Sequence, residues 1–130
     1  MKIFIISHDL SHNSAGRAVL LAQLFGRKHQ VEVVGTAFGN DIWYPIRHTG
    51  IKFRKVEGEL FLPQYTHLMA RLIDKLKGDA VIAVKPRPTS YGVALLHREL
   101  TGRPVILDIY DDEMAFYDGD SWKKKKKKTL

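Results

Sequence analysis

Cysteine does not occur in this 130-residue chain, which excludes disulfide bonds and thiolate chemistry. No apolar run reaches the ~18 residues that a membrane-spanning helix needs. The opening residues MKIFIISHD have too short an apolar core for a signal peptide and carry no cleavage site, so they predict a first β-strand. Together these absences favour a protein of the cytoplasm.

Motifs that mark several kinds of chemistry are missing as well. The sequence contains neither the G-x-G-x-x-G dinucleotide motif nor the P-loop pattern. No Ser-His-Asp or Cys-His set can be assembled from its residues. Basic and aromatic residues do not alternate as they do on surfaces that read RNA or DNA, so we expect no specific nucleic-acid partner. We also predict no cofactor and no bound metal.

The positive charge is concentrated at one end of the chain. The net charge is +7, and the lysine run from Lys123 to Lys128 carries six of these charges, which leaves +1 for the rest. Blocks of like charge are generally disordered. We therefore divide the chain into a folded domain of residues 1–117 and a polylysine tail of residues 118–130. The tail is interpreted either as solvated or as a weak contact with polyanions or an anionic membrane surface.

The order of apolar segments predicts the fold class. Short β-branched runs at residues 81–84 and 105–107 flank an amphipathic helix, as in a βαβ unit. The full order is β-α-β-loop-β-α-β-α-β, which predicts a Rossmann-like three-layer α/β/α fold with a mostly parallel sheet. Residues 51–56 alternate apolar and basic side chains, which is typical of a strand near a sheet edge.

The helical segments predict which side chains face the core. The first helix has an apolar stripe that consists of Ala18, Leu21, Ala22 and Phe25. The third helix is expected to begin at Thr89 or Ser90, and its predicted stripe consists of Val93, Leu96, His97 and Leu100. We interpret His97 as a core or boundary histidine rather than a ligand. The loop of residues 36–50 is expected to fold over the sheet.

Polar residues collect just after the predicted strands, where open α/β sheets bind ligands. The first turn spans residues 8–17, and the helix start within it would attract phosphate. Gly16 either allows a ligand to approach the backbone closely or serves only the packing of helix on strand, and both interpretations stay open. His8, Asp9 and His12 cluster in this turn, but a loop setting does not favour a metal site.

Two charged groups follow the later strands. Lys85 and Arg87 are held by neighbouring prolines, which suits an anionic ligand, although solvated charges on a stiff loop are the alternative. Four carboxylates lie within six residues: Asp108, Asp111, Asp112 and Glu113. Three of them could serve as a general base, hydroxyl acceptors or metal ligands. Pairing with the two cations across a cleft is a compatible interpretation.

Three segments together resemble the N-terminal half of glycosyltransferases with the GT-B fold, of the group 1 or family 4 type. The first is MKIFIISHDLSHNSAGRAVLLAQLFGRKHQVEVVGTAF, similar to that family's opening strand, small-residue loop, long helix and second strand. The second is AVIAVKPRPTSYGVALLHREL, similar to the family's strand and loop of the type DVVYASKPLPTS. The third is GRPVILDIYDDE, similar to its segment G-x-P-hydrophobic-LD-x-DD-x-E. The resemblance covers residues 1–117.

The resemblance implies a role for each polar group. In this family the N-terminal domain mainly binds the acceptor, a C-terminal domain binds the nucleotide-sugar donor, and transfer retains the anomeric configuration, usually without a bound metal. The residues implied to face the donor phosphates are Ser14, Ala15, Gly16 and Arg17. Those implied on the acceptor side are His8, Asp9, Lys85, Arg87, Asp108 and Glu113. The candidate catalytic residues are Tyr110, Asp111 and Asp112, and family members often carry His or Asp at the position of Tyr110.

The chain is expected to be a truncated form of such an enzyme, because the donor-binding domain has no counterpart in it. A partner chain that supplies the donor half is the other hypothesis. The expected function is the acceptor-side domain, inactive alone, whose partners are a nucleotide-sugar and a sugar or lipid-linked acceptor. The alternative is a stand-alone Rossmann-like module that binds a small phosphorylated ligand or a protein partner.

Overall fold

The computed structural model describes residues 1–39, 41–59 and 61–109. Within these residues the chain forms five strands: β1 (Lys2–Ser7), β2 (Gln30–Thr36), β3 (Lys52–Val56), β4 (Ala80–Val84) and β5 (Val105–Asp108). It also forms three α-helices: α1 (Ala15–Phe25), α2 (Gln64–Lys75) and α3 (Val93–Thr101). None of these helices is long and apolar enough to cross a bilayer. Strands and helices alternate in the predicted order.

The strands form one sheet in the order β3-β2-β1-β4-β5, and every neighbouring pair runs parallel. The α/β prediction is therefore confirmed, and the described part of the sheet is parallel throughout. The strand β3 lies at an edge, as its alternating pattern predicted. The chain moves outward from β1 to β3, crosses back to β4, and moves outward again to β5. The direction reverses between β1 and β4, which is where such sheets leave a crevice.

Both faces of the sheet are covered because the central strands are apolar on both sides. Ile3 and Ile5 of β1 point into a core shared with α1, whereas Phe4 and Ile6 point into a core shared with α2 and α3. This alternation places one helix layer on each face and gives the predicted three layers. The loop after β2 does fold over the sheet, since Ile46 is buried in the α1-side core.

The helix stripes were predicted correctly in α1 but not in α3. Ala18 and Ala22 of α1 are buried, and Leu21 and Phe25 pack partly buried against the same core. In α3 the buried residues are Val93, Ala94 and His97, whereas Leu96 and Leu100 are 39% and 67% exposed. The prediction of a stripe through Leu96 and Leu100 is therefore wrong. Val93 and Ala94 belong to the core on the α2 side, so the buried face of α3 runs through Ala94 instead.

One buried carboxylate lies in the middle strands, away from their carboxyl ends. Glu32 is 4% exposed, and its Oε1 lies 2.9 Å from Lys52 Nζ and 3.1 Å from Arg54 Nη2. Burial raises the pKa of Glu32, but hydrogen bonds from Arg54 and Lys52 outweigh it and hold the pKa below its ordinary value. These two cations of the edge strand therefore have a structural role in neutralising Glu32.

His97 is a core histidine, as predicted, and it is an unusual one. It is 1% exposed, and neither ring nitrogen has a hydrogen-bond partner within the described residues. Burial lowers the pKa of His97, and the charge of Arg103 lowers it further. The folded state therefore disfavours the protonated ring. The stability that the folded state gains from keeping His97 neutral is fully present above the ordinary pKa of 6.5. This contribution declines as the pH falls below that value toward the lowered pKa of the folded state.

Replacing His97 with leucine is expected to raise the free energy of unfolding at pH 7.5 by about 1 kcal/mol, because two partnerless polar atoms leave the core. The loss of stability between pH 7.5 and pH 5.5 should also become smaller than in the wild type. Urea unfolding at both pH values measures this difference. The control is His67→Gln on the exposed side of α2, which should keep the wild-type dependence. An unchanged pH dependence in His97→Leu would contradict the assignment.

Candidate functional site

The predicted polar turns meet at one edge of the sheet. This carboxyl rim, as we name it, consists of residues 8–17 after β1, residues 85–90 after β4, and Asp108 at the end of β5. The Lys85 N–H donates to the Asp108 carbonyl at 3.0 Å, and the Thr89 hydroxyl donates to the His8 carbonyl at 2.8 Å. Parallel pairing aligns the strand ends, since Ser7 pairs with Val84. The rim therefore lies at the crevice between β1 and β4.

A bidentate ion pair joins the two sides of the rim. Arg17 Nε lies 2.9 Å from Asp108 Oδ2, and Arg17 Nη2 lies 3.0 Å from Asp108 Oδ1. The strand β5 extends to Asp108, and its carboxylate meets the first turn of α1. The side chains are 34% and 18% exposed. The planar fork fixes the guanidinium at the helix start, so Arg17 is held in place before any ligand arrives.

Asp9 organises the first turn. Its Oδ1 accepts hydrogen bonds from the Ser11 N–H at 2.9 Å and the Phe38 N–H at 3.3 Å, and its Oδ2 lies 2.7 Å from His12 Nδ1. Both oxygens of this buried carboxylate are thus engaged inside the protein. No group of three His, Cys, Asp or Glu side chains that could hold a metal occurs in the part of the chain described. The geometry supports a structural role for Asp9 in the turn.

The first two backbone N–H groups of α1 already donate hydrogen bonds within the protein. The Ala15 N–H donates to the His12 carbonyl at 3.1 Å, and the Gly16 N–H donates to the Asn13 carbonyl at 3.0 Å. Ser14 precedes the helix without a side-chain cap, and its hydroxyl donates to the Asp9 carbonyl at 3.4 Å. A phosphate at this helix terminus would therefore meet the Arg17 side chain and the helix dipole rather than the first two amides.

The space around Gly16 shows whether the packing of α1 on the strands requires a glycine at this position. A Cβ atom added to Gly16 would find Trp43 Cζ3 at 3.8 Å as its nearest neighbour, which is ordinary van der Waals contact. Packing of α1 on the strands therefore does not require a glycine here. Trp43 is held beside the turn because its N–H donates to the Leu10 carbonyl at 2.7 Å. The space around Gly16 therefore has room for a side chain.

The backbone at Lys85 is in the left-handed region, with φ at 70°. A residue with a side chain adopts this conformation at a cost of about 1 kcal/mol, and such residues cluster at functional sites. The Lys85 carbonyl accepts hydrogen bonds from the Arg87 N–H at 2.9 Å and the Ser90 hydroxyl at 2.6 Å. These contacts hold the strained conformation. They fix where the chain places Lys85 and Arg87, both of which are half-buried.

A π-helical turn, Pro88–Gly92, follows Lys85 and leads into α3. The Gly92 N–H donates to the Arg87 carbonyl at 3.1 Å, which is the i to i+5 bond of such a turn. The prediction that Thr89 or Ser90 caps the third helix is therefore wrong. Their hydroxyl groups instead bind the His8 carbonyl and the Lys85 carbonyl. Single π-turns occur frequently at functional sites.

Comparison of the chain with protein-family models, with curated proteins and with solved structures gave no match in any of the three. The function must therefore be inferred from the rim and from the residues that build it.

Sequence reasoning missed two residues that border the rim, and four of its candidates cannot be compared with the structure. The Tyr65 hydroxyl of α2 donates to the Pro88 carbonyl at 2.8 Å and fastens the loop after β4. Trp43 borders the helix start from the loop after β2. Neither has a sequence signal, because both come from segments distant in the chain. The candidates Tyr110, Asp111, Asp112 and Glu113 lie outside the described residues, as does the lysine tail.

Proposed function

We propose that this chain is the acceptor-side domain of a retaining glycosyltransferase that uses a nucleotide-sugar donor, and that it requires a donor-binding domain for activity. One observation carries the proposal. Each of the three segments that resemble the family contributes polar residues to the same rim, and contacts between Arg17 and Asp108, Thr89 and His8, and Lys85 and Asp108 join them.

The geometry supports different roles for the predicted site residues. Arg17 is the group best placed to bind donor phosphates, because it lies at the start of α1 with its guanidinium fixed. Lys85 and Arg87 follow β4, the neighbour of β1 in the sheet, and would bind the acceptor. Asp9 supports the turn, and His8 contributes a carbonyl to the rim's hydrogen bonds. Tyr110, Asp111 and Asp112 remain catalytic candidates from the resemblance alone.

A single domain is not expected to transfer sugar efficiently. Transfer requires donor and acceptor to be held in line within a closed cleft from which water is excluded. The rim supplies one wall of such a cleft. We therefore expect no turnover by the chain alone and turnover when a donor-binding domain is supplied as a separate chain.

The test is release of nucleoside diphosphate from a nucleotide-sugar, followed with and without such a domain and an acceptor sugar. Activity that appears only in the mixture, and falls when Lys85→Ala is introduced, supports the proposal. Equal activity of the mixture and of the donor domain alone contradicts it. Because turnover by the mixture requires a suitable acceptor, the assay includes both lipid-linked and free sugars.

A second candidate function is a module that binds a small phosphorylated ligand by itself. The observation that favours it is the fixed cation at a helix start, which needs no second domain to be formed. Thermal shift with nucleoside diphosphates and sugar phosphates separates the two functions. Tight binding by the isolated chain, without any turnover in the mixture, would favour the second candidate.

Replacing Gly16 with alanine is expected to separate ligand binding from folding. The added methyl group fits the structure, so the free energy of unfolding should rise by about 0.5 kcal/mol, since alanine is the better helix residue. Affinity for a nucleoside diphosphate should fall about tenfold, because the methyl group occupies the ligand's approach. Calorimetric titration and urea unfolding measure the two effects. Gln23→Ala, on the same helix and away from the rim, is the control and should leave affinity unchanged.

A further inference from the structure

A cavity of about 380 Å³ has aromatic side chains in its wall. It is lined by Phe38, Gly58, Glu59 and Phe61. Phe38 follows β2 and Phe61 follows β3, so the cavity lies at the carboxyl edge of the sheet, as the rim does. Pockets that bind small molecules have volumes of about 300–1,000 Å³. The cavity is therefore large enough to hold part of a ligand.

Hydrogen bonds connect both aromatic walls of this cavity to the rim. The Phe38 N–H donates to Asp9 Oδ1 at 3.3 Å, in the turn after β1. The Tyr65 N–H donates to the Phe61 carbonyl at 2.9 Å. The hydroxyl of the same tyrosine donates to the Pro88 carbonyl at 2.8 Å, in the loop after β4. The cavity is therefore adjacent to two of the segments that form the rim.

Phe61 differs from the other aromatic wall because its side chain is 78% exposed, whereas Phe38 packs partly buried against the core on the α2 side. The loop after β3 makes its close contact with α2 at Gly58, where an added Cβ would lie 2.7 Å from Leu68 Cδ1. This contact leaves the Phe61 ring at the surface. An exposed ring beside a cavity offers apolar surface to a ligand.

We propose that this cavity binds the hydrocarbon chain of an amphiphilic ligand whose phosphate head group lies at Lys85 and Arg87. The inference rests on the proposed function, in which these two residues bind the acceptor, and it narrows the acceptor to a phosphate ester with an apolar chain. Among the four lining residues only Glu59 is charged. Its carboxylate repels an anionic head inside the cavity, so the head lies toward the cations of the rim. Arg87 directly precedes Pro88, the residue that Tyr65 holds beside the cavity.

A series of alkyl phosphates tests the proposal on the full chain. Calorimetric titration with butyl, hexyl and octyl phosphate, kept below the concentrations at which micelles form, should show affinity that rises about threefold per methylene group, because each buried methylene contributes about that factor. Octyl phosphate should bind at least about tenfold more tightly than octyl glucoside, which has the same chain and no charge. Affinity that does not rise with chain length would overturn the proposal, as would equal affinity for the two head groups.

Three variants locate the two parts of the ligand. Phe61→Ser removes an exposed ring, so the chain should still fold, and affinity should no longer rise with chain length. Leu62→Ser is the matched control, since Leu62 is adjacent, 74% exposed and outside the described lining of the cavity, and it should keep the wild-type series. Arg87→Gln should lower the affinity for every alkyl phosphate by the same factor. Circular dichroism verifies folding, and a chain-length dependence that persists in Phe61→Ser would overturn the proposal.

These titrations need no donor-binding domain, so they separate this inference from the proposed function. Binding that rises with chain length, together with no turnover in the mixture of domains, would overturn the transferase assignment while the amphiphile site remained. Turnover in the mixture, together with affinity that is independent of chain length, would overturn the amphiphile site alone.

Discussion

Replacing Gly35 with alanine is expected to lower the free energy of unfolding by about 3 kcal/mol, at the upper end of the cost of overpacking. The added Cβ would lie 2.6 Å from the Ser7 carbonyl oxygen and 3.0 Å from Leu10 Cγ. The first neighbour is backbone of the adjacent strand, so it cannot move without disturbing the pairing of β1 and β2. Urea unfolding followed by circular dichroism measures the loss.

The matched control for this substitution is Gly92→Ala. Its nearest neighbours would be the Tyr65 hydroxyl at 3.5 Å and the Arg87 carbonyl at 3.8 Å, both at ordinary contact distance. We expect the free energy of unfolding of Gly92→Ala to stay within about 0.5 kcal/mol of the wild type. Equal losses of unfolding free energy in the two variants would show that the short contacts around Gly35 do not cause the loss.

Gly35 also connects the sheet to the rim. Leu10 lies over it, fully buried, and the Leu10 N–H donates to the Thr36 carbonyl at 2.7 Å. A side chain at position 35 would displace Leu10 and with it the turn of residues 8–17. We therefore expect any Gly35→Ala protein that still folds to bind phosphorylated ligands more weakly than the wild type.

Replacing Arg17 with glutamine is expected to have the second large effect. The substitution removes a bidentate pair with Asp108 and leaves the carboxylate without its cation. Since both side chains are partly solvated, we expect a loss of about 1 kcal/mol in the free energy of unfolding. Affinity for a nucleoside diphosphate should fall at least about tenfold, because a fixed cation at the helix start is lost.

A double-mutant cycle with Asp108→Asn distinguishes the two contributions. The coupling energy in unfolding experiments reports the ion pair, and we expect it to be about 1 kcal/mol. The loss of ligand affinity should follow Arg17 rather than Asp108, so Asp108→Asn alone should keep most of the affinity. If both single variants lost the same affinity, the pair would act on the ligand only through the shape of the rim.

The rim has the features of a site arranged in advance. The strained backbone at Lys85 and the π-turn after it are each less favourable than a regular strand end and helix start. Hydrogen bonds from Ser90, Thr89 and Tyr65 hold this loop in place. Conformations of this kind cluster at functional sites, which supports the proposed site at the rim.

Local sequence patterns were sufficient to predict the fold. The uncharged β-branched run at residues 81–84 predicted a parallel strand covered on both faces, and β4 is such a strand. The same pattern at residues 105–107 predicted another, but β5 lies at the edge of the described sheet and its Ile106 is 57% exposed. The alternation in β3 predicted an edge strand, and the stripe of α1 predicted its buried side, where Ala18 and Ala22 are buried. Each of these patterns depends on the environment of a single element.

Contacts between distant segments were beyond the reach of those patterns. The sequence located Arg17, Lys85 and Asp108 after their strands, because parallel strands deliver their carboxyl ends to one edge. It did not determine that Asp108 pairs with Arg17, that Tyr65 fastens the loop at Pro88, or that a π-turn precedes α3. Pairing, strain and helix rotation depend on which side chains meet in space. Only the tertiary structure decides that.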